Sequence, residues 1–409
     1  MKRIFTVLII VMLSVLNVQS QTKKFLFDAT KYQTAANADW VIDENLSGST
    51  YVTPRYPTPL QSTITSTTAE TYWTGALSSW GIALVKLGHQ VESLPVGTAI
   101  TYGNSSNPQD LSNYNVFIVD EPNSPFTATE KTAMLNFVYN GGGLFMISDH
   151  NNADRNGDGW DALAVWNNFM RTNSVGNLPF GFKFDSLSFS ETSNNVLSAW
   201  SSNPILNGPQ GAVNQVMWSA GTSMTIYPAI NPNVKGLVWR TGVAQGSTSL
   251  LCISSTYGTG RVVAFGDSSP ADDGSGSPGH TLYNGWLVDA GGNHARLHLN
   301  ASLWLAKLTG VSGIEENNTP VKFSLEQNFP NPFNPTTNIK YSISKSSDVS
   351  VKVFDIDGKE VAELVNEFQV NGSYSVNFNA AKYNLASGVY YAVLNASGNK
   401  ETIKMLLTK

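Results

Sequence analysis

Cysteine is almost missing: a single thiol, Cys252, in 409 residues excludes an intramolecular disulfide framework and any cysteine-based zinc site. Charge is sparse as well. Only 13% of residues are Asp, Glu, Lys or Arg, and 25 basic against 30 acidic side chains leave a net charge of −5. No basic block lies beyond the extreme N-terminus, which argues against nucleic-acid binding through a cationic face. After the first twenty residues no apolar run reaches transmembrane length. What is present is 41% hydrophobic and 11% aromatic, apolar enough for at least two ordinary cores and unlike a disordered or collagen-like chain.

The N-terminus reads as an address. Lys2 and Arg3 precede an apolar run from Ile4 to Leu16, and Val18-Gln19-Ser20 places small residues at −3 and −1 of a cut before Gln21. This is the pattern of a cleavable signal peptide over residues 1–20. A run of about thirteen residues covers roughly 20 Å as a helix, short of a hydrocarbon core of about 30 Å. The mature chain is therefore expected to have no transmembrane segment.

From Lys322 onward apolar residues fall at every second position: Ile339, Tyr341 and Ile343; Val349, Val351 and Val353; Tyr374, Val376 and Phe378; Val389, Tyr391 and Val393. Period two marks half-buried strands, and Asp357-Gly358 and Asn371-Gly372 supply hairpin turns between them. A small immunoglobulin-like β-sandwich is expected over 322–409, behind an aperiodic linker at 309–321. The phrases Asn328-Phe329-Pro330-Asn331-Pro332-Phe333-Asn334-Pro335, Val353-Phe354-Asp355-Ile356-Asp357-Gly358-Lys359, Gly388-Val389-Tyr390-Tyr391 and Lys404-Met405-Leu406-Leu407 carry a resemblance to the type A C-terminal sorting domain of the type IX (Por) secretion system. That resemblance implies recognition of residues 322–409 by an outer-membrane translocon. It also implies removal of the domain on export, and a cargo either secreted or attached to the cell surface.

Residues 21–308 alternate apolar strands with helical patterns. Strands are expected at Phe25-Leu26-Phe27-Asp28, Val91 to Leu94, Asn115 to Glu121, Leu144 to Asp149 and Arg261 to Asp267. Helices are expected along the Trp73, Leu77, Trp80, Leu84 and Leu87 stripe, after a capping box at Thr127 and Glu130, around Leu163, Trp166 and Met170, and after Asn293 as cap. This order predicts an α/β, flavodoxin-like three-layer sandwich with a mainly parallel sheet. Gly141-Gly142-Gly143-Leu144-Phe145, Asn203-Pro204-Ile205-Leu206-Asn207-Gly208 and Tyr257-Gly258-Thr259-Gly260-Arg261 resemble the class I glutamine amidotransferase-like superfamily, in its trehalose-utilisation (ThuA-like) branch. The strand that would carry the nucleophilic cysteine ends instead in Ser148-Asp149-His150, so glutaminase activity does not carry over; Cys252, inside an apolar run, reads as an inert thiol.

In a parallel sheet the carboxyl ends of the strands share one edge, where ligands bind. The expected strand ends bear Asp28, Asp120 with Glu121, Asp149 with His150, and Asp267 with Ser268. Such a cluster needs a shared proton or a cation. His150, Asp120 and Asp267 are the candidate catalytic residues, with His150 or Asp267 activating water. In Asp154-Arg155-Asn156-Gly157-Asp158-Gly159 the alternating oxygen donors match the opening of a calcium loop. Val165 stands where the closing Glu would be, leaving Asp161 and Asp149 to complete a Ca²⁺ site; the competing reading is a bare Asx-rich turn. The loop from Asp267 to His280 is expected to deliver Asp272, Asp273 or His280 to the crevice, whereas His294 and His298 read as helix surface and His89 as structural. Tyr51, Tyr56, Tyr102 and Trp200 are candidates for sugar stacking. The resulting expectation is an exported protein binding a polar ligand, saccharide above all, in a carboxylate-lined, cation-assisted crevice, as a metal-assisted hydrolase or as a noncatalytic adhesion or scaffold module.

Overall fold

The computed structural model describes residues 21–43, 60–198, 202–276, 283–289, 291–308, 323–343, 347–369 and 372–408. The expected signal peptide, the 309–321 linker, Tyr51, Tyr56, Trp200 and His280 lie outside them. Among the described residues no helix is long and apolar enough to cross a membrane. The chain divides into two compact units between Ile314 and Glu315.

The first unit is built on β1 (Lys24–Asp28), β2 (Gln90–Leu94), β3 (Val116–Asp120), β4 (Gly143–Ile147), β5 (Leu250–Tyr257) and β6 (Gly260–Phe265). Their order is β2-β1-β3-β4-β6-β5. The first five positions run parallel, and β5 returns antiparallel to β6. Beyond β5, the short strands Met224–Ile226, Phe182–Phe184 and Lys235–Trp239 extend the sheet antiparallel. Near-continuous apolar runs suit strands covered on both faces. Alternate residues serve two cores: Phe25, Phe27, Ile118, Phe145 and Phe265 face α1 (Ser78–Lys86) and the C-terminal helix, whereas Leu26, Phe117, Val119, Leu144 and Met146 face α2 (Ala128–Tyr139) and α3 (Ala162–Arg171). The C-terminal helix, α4, spans Asn293–Leu305. This is the three-layer sandwich that the alternation of patterns predicts.

Local signals explain most element ends. Thr127 and Glu130 form the expected capping box: Thr127 accepts the Glu130 N–H and Glu130 accepts the Thr127 N–H at 2.8 Å. Three expectations need correction. The helix expected from Trp73 begins only at Ser78, because Ala76 and Leu77 donate their N–H groups to Asp39 and Val41 instead of continuing a helical turn. Asn293 does not cap α4; its side chain accepts from the Asn214 N–H, and Asp289 takes the His294 N–H at 2.8 Å. His294 and His298 are buried, not surface residues. His294 Nε2 accepts from the Met217 N–H at 2.9 Å, and His298 lies among Trp80, Phe145, Phe265 and Trp286. Burial pushes His298 down to about 3, so it stays neutral.

The second unit pairs two antiparallel sheets. Its strands are β7 (Thr336–Ile343), β8 (Ser347–Phe354), β9 (Glu360–Gln369), β10 (Gly372–Asn379), β11 (Gly388–Ala396) and β12 (Asn399–Leu407). One sheet joins the short strand Ser324–Leu325 to β7 and β10; the other has the order β9-β8-β11-β12. Ile339, Tyr341, Val351, Val353, Leu394 and Met405 fill the core between them. This is the small all-β sandwich that period two predicts. Asn331, in the loop before β7, lies along β12: its Oδ1 accepts the Leu406 N–H at 2.8 Å and its Nδ2 donates to the Lys404 carbonyl at 3.3 Å.

Candidate functional site

Because β1, β3, β4 and β6 are parallel, their carboxyl ends meet at one edge, and the strand order reverses between β1 and β3. In sheets of this kind ligands bind beside such a reversal. Asp120, Asp149, Asp267 and Asp272 are all buried there beside Glu121, which is 0% exposed. Glu121 follows β3 with φ +39, a left-handed conformation uncommon outside glycine, and so turns back into the edge. The cation is Arg155. Its Nε donates to Glu121 Oε1, and its Nη2 bonds Glu121 Oε2 at 3.3 Å and Asp149 Oδ2 at 3.2 Å. The guanidinium carbon lies 5.9 Å from the Trp40 ring, and the Arg155 N–H is held by Asn123 Oδ1 at 3.1 Å. Ser268 donates its hydroxyl to Glu121 Oε2 at 3.0 Å.

One arginine does not neutralise this many carboxylates, and burial shifts several of them toward the protonated form. Burial pushes Asp120 well above the usual carboxylate range, and the neighbouring Glu121, Asp267 and Asp272 charges push it further. Among the described residues neither Asp120 oxygen has a hydrogen-bond partner. Burial likewise raises Asp149, reinforced by Glu121 and Asp267 and opposed by Arg155. Asp267 is pushed up to about 7 by burial, even though Ser269 and Ser219 donate N–H groups to it. Asp272 also rises to about 7 through burial. His150 stands at the margin with its side chain 29% exposed. Its Nδ1 is 2.7 Å from the Asn151 carbonyl, which assigns the proton there, and Nε2 faces Asp149 Oδ2 at 3.8 Å.

Not every expected residue reaches this edge. Asp28 is buried, but its carboxylate is engaged by Thr30 and by Gln33 Nε2 at 2.7 Å. Of the loop after Asp267, Asp272 joins the cluster, while Asp273 turns away and accepts the Ser79 N–H at the start of α1 at 2.7 Å. Tyr102 packs against Phe137 in the core. The calcium set is divided. Asp154 accepts N–H bonds from Gly157, Asp158 and Gly159 across one turn, and Asn156 donates to Asp158 at 2.9 Å. Asp161 caps α3 through the Ala164 N–H, and Asp149 belongs to the arginine-centred cluster. Among the described residues no three carboxylate, imidazole or thiol groups are placed to hold a metal ion. Five ligands do not converge; only Asp154, Asn156 and Asp158 share the turn.

One group central to this geometry, Arg155, was not among the candidate site residues, and Glu121 was expected in the strand-end cluster beside Asp120 with no role of its own. The signal for Arg155 was its position, a lone cation inside an acidic loop next to a strand end. Cys252 sits in the interior of β5, fully buried, and burial raises its thiol well above its ordinary value.

Comparison with known proteins follows the two units. No curated protein matches the chain. Solved structures similar to the α/β unit include the mmIFT52 N-terminal domain, 12% identical over 71% of this chain and 100% of that one with a TM-score of 0.40. A ThuA-like protein from Parabacteroides merdae is 12% identical over 73% of this chain and 94% of that one, with a TM-score of 0.34. The type IX secretion component PorZ of Porphyromonas gingivalis is 21% identical over 25% of this chain and 13% of its own, with a TM-score of 0.16. Residues 327–408 match the model of the secretion system C-terminal sorting domain family. The β-sandwich is therefore a type IX sorting domain, and the chain that carries it is a cargo exported to the cell surface or beyond.

Proposed function

We propose that the α/β unit of this exported cargo binds a polar ligand of the saccharide class at the acidic edge, with Arg155 supplying the cation that the cluster requires. The observation that carries this reading is Asp120, a buried carboxyl whose two oxygens have no hydrogen-bond partner among the described residues, beside an ion pair at the strand-order reversal. A protonated Asp120 is a hydrogen-bond donor and acceptor suited to a sugar hydroxyl. His150 Nε2 and Asp149 form the outer rim of the same edge. In the hydrolytic form of the proposal, Asp120 gives its proton to the leaving oxygen and His150, or Asp267 in its ionised form, takes one from water. Arg155 fixes Glu121 and Asp149 and transfers nothing.

The test is a saccharide and phosphoester screen with wild type, Asp120→Asn and Asp149→Ala, read by turnover and by ligand-induced shift in unfolding temperature. Binding or turnover lost in both variants is the expected result. An unchanged response in Asp120→Asn overturns the assignment. A second reading, a noncatalytic adhesion or scaffold module, is favoured by the internal N–H donors that already occupy Asp28, Asp267 and Asp272. Ligand binding without turnover would select it. Calcium has a structural place in either reading: the Asp154–Gly159 turn, with Gly157 at φ +73 and Gly159 at φ +91, is proposed to take Ca²⁺ weakly through Asp154, Asn156 and Asp158. Unfolding temperature raised by millimolar calcium, and not in Asp158→Ala, is the outcome that supports it.

A further inference from the structure

We propose that Phe329 is the anchor by which the sorting domain docks on the export machinery, its ring entering an apolar pocket of a component of that machinery. The inference rests on the reading of residues 327–408 as a sorting domain and adds the contact residue. Two phenylalanines lie four residues apart in the loop before β7 and meet opposite fates. Phe333 is 1% exposed and packs against Phe378 in the core, whereas Phe329 is 81% exposed.

The exposure of Phe329 does not come from a loose loop. Its N–H donates to the Asn338 carbonyl at 3.0 Å, and its carbonyl accepts the Asn338 N–H at 3.1 Å. On its flank, buried Asn328 donates to the Pro330 carbonyl at 3.0 Å and to Thr337 Oγ1 at 2.9 Å. Thr337 donates to the Pro330 carbonyl at 2.8 Å, and Asn331 is fastened to β12. A backbone fixed on both sides of an outward aromatic ring is preorganised for insertion into a partner, and aromatic residues dominate the energetics of interfaces.

The neighbouring surface favours side-chain recognition over strand addition. The C-terminal end of the outer edge of β12 is already taken: Phe333 donates to the Leu406 carbonyl, Thr408 donates to the Phe333 carbonyl, and Asn331 holds the Leu406 N–H. At that end of the strand, beside the Phe329 loop, the ladder is occupied. Exposed apolar residues occur singly on many proteins without purpose. Here Pro330, Pro332 and Leu406 are exposed on the same loop and strand, and the sorting-family match covers all of them.

The experiment uses the full chain expressed in a type IX-secreting cell, with the exported fraction measured for wild type, Phe329→Ser, Phe329→Trp, Ile356→Ser and a chain lacking residues 323–409. Ile356, 75% exposed in the turn between β8 and β9, is the control for loss of any exposed apolar side chain. Phe329→Ser is expected to lower export by about tenfold or more, with Phe329→Trp and Ile356→Ser near wild type. Its unfolding temperature should equal that of wild type, because the ring has little packing to lose. Should serine perturb folding, Phe329→Asn reads the anchor with a second polar side chain. Retention of the truncated chain with full export of the folded polar variant overturns the anchor alone. Export of the truncated chain overturns the sorting reading and the anchor with it.

Discussion

At the scale of single residues, the acidic edge sets charge burial against one arginine and against carboxyl groups whose affinity for protons burial raises. Asp120 loses its proton near 3.8 as a free carboxyl and at much higher pH when folded. The folded chain therefore binds more protons above that value, and this group removes stability as pH rises from about 4 through its folded pKa. Asp120→Asn keeps the shape and removes the charge. Its unfolding temperature is expected to exceed that of wild type at pH 8 and to equal it at pH 3.5, in a thermal unfolding series across that range. A variant weaker than wild type at pH 8 would mean that the ionised form is bound by something in the folded protein. Arg155 works in the other direction. Arg155→Met leaves Glu121 buried without its partner and should cost about 3–5 kcal/mol in denaturant unfolding at neutral pH. Legibility at this scale was partial. The strand-end aspartates could be read because each follows a continuous apolar run, whereas Glu121 depends on a backbone turn at φ +39 that no side-chain pattern encodes.

At the scale of elements, the signals that worked were local ones. The capping box of α2 needed only Thr127 and Glu130 at the right spacing, and Thr127→Ala is expected to cost about 1 kcal/mol in equilibrium unfolding. The β5–β6 hairpin turns at Gly258-Thr259, and a Cβ at Gly260 would lie 1.9 Å from the Val138 carbonyl, so glycine there lets the hairpin approach α2. Elements fixed by distant partners were misread. The start of α1 is set by Asp39, Val41 and Asp273, residues remote in sequence from Ser78. The burial of His294 and His298 follows from α4 packing under the sheet, where polar residues at i, i+4 looked like a solvent face. His298 also gives this layer an acid limit. Free imidazole titrates near 6.5 and His298 near 3, so its contribution is complete above 6.5 and is lost as pH falls toward 3. Acid unfolding followed by tryptophan fluorescence should move to lower pH in His298→Phe.

At the scale of the whole molecule, period-two and apolar-run patterns separated the two units before any contact was known, since half-buried and doubly buried strands differ in composition. A chain ending at Leu308 retains every strand and helix of the α/β unit and should keep the pH response assigned to Asp120, measured by the same thermal series. Loss of folding on that truncation would show that the sandwich is needed for more than sorting. The antiparallel strands beyond β5 were not legible as sheet, because short segments such as Met224–Ile226 and Phe182–Phe184 carry too few residues to display a period.

The amide of Asn331 has a consequence for traffic. By offering one acceptor and one donor in the spacing of a peptide group, it makes the final strand behave as though a neighbour were already zipped alongside. The opposite margin of that sheet carries Glu360 and Glu363, paired with Lys352 of the neighbouring strand at 3.0 and 3.3 Å, so that the margin bears charged side chains. Copies crowded together on their way out of the cell thus meet a covered margin at the end of this strand, and Asn331→Ala should be the substitution that uncovers it, seen as concentration-dependent light scattering of the folded protein.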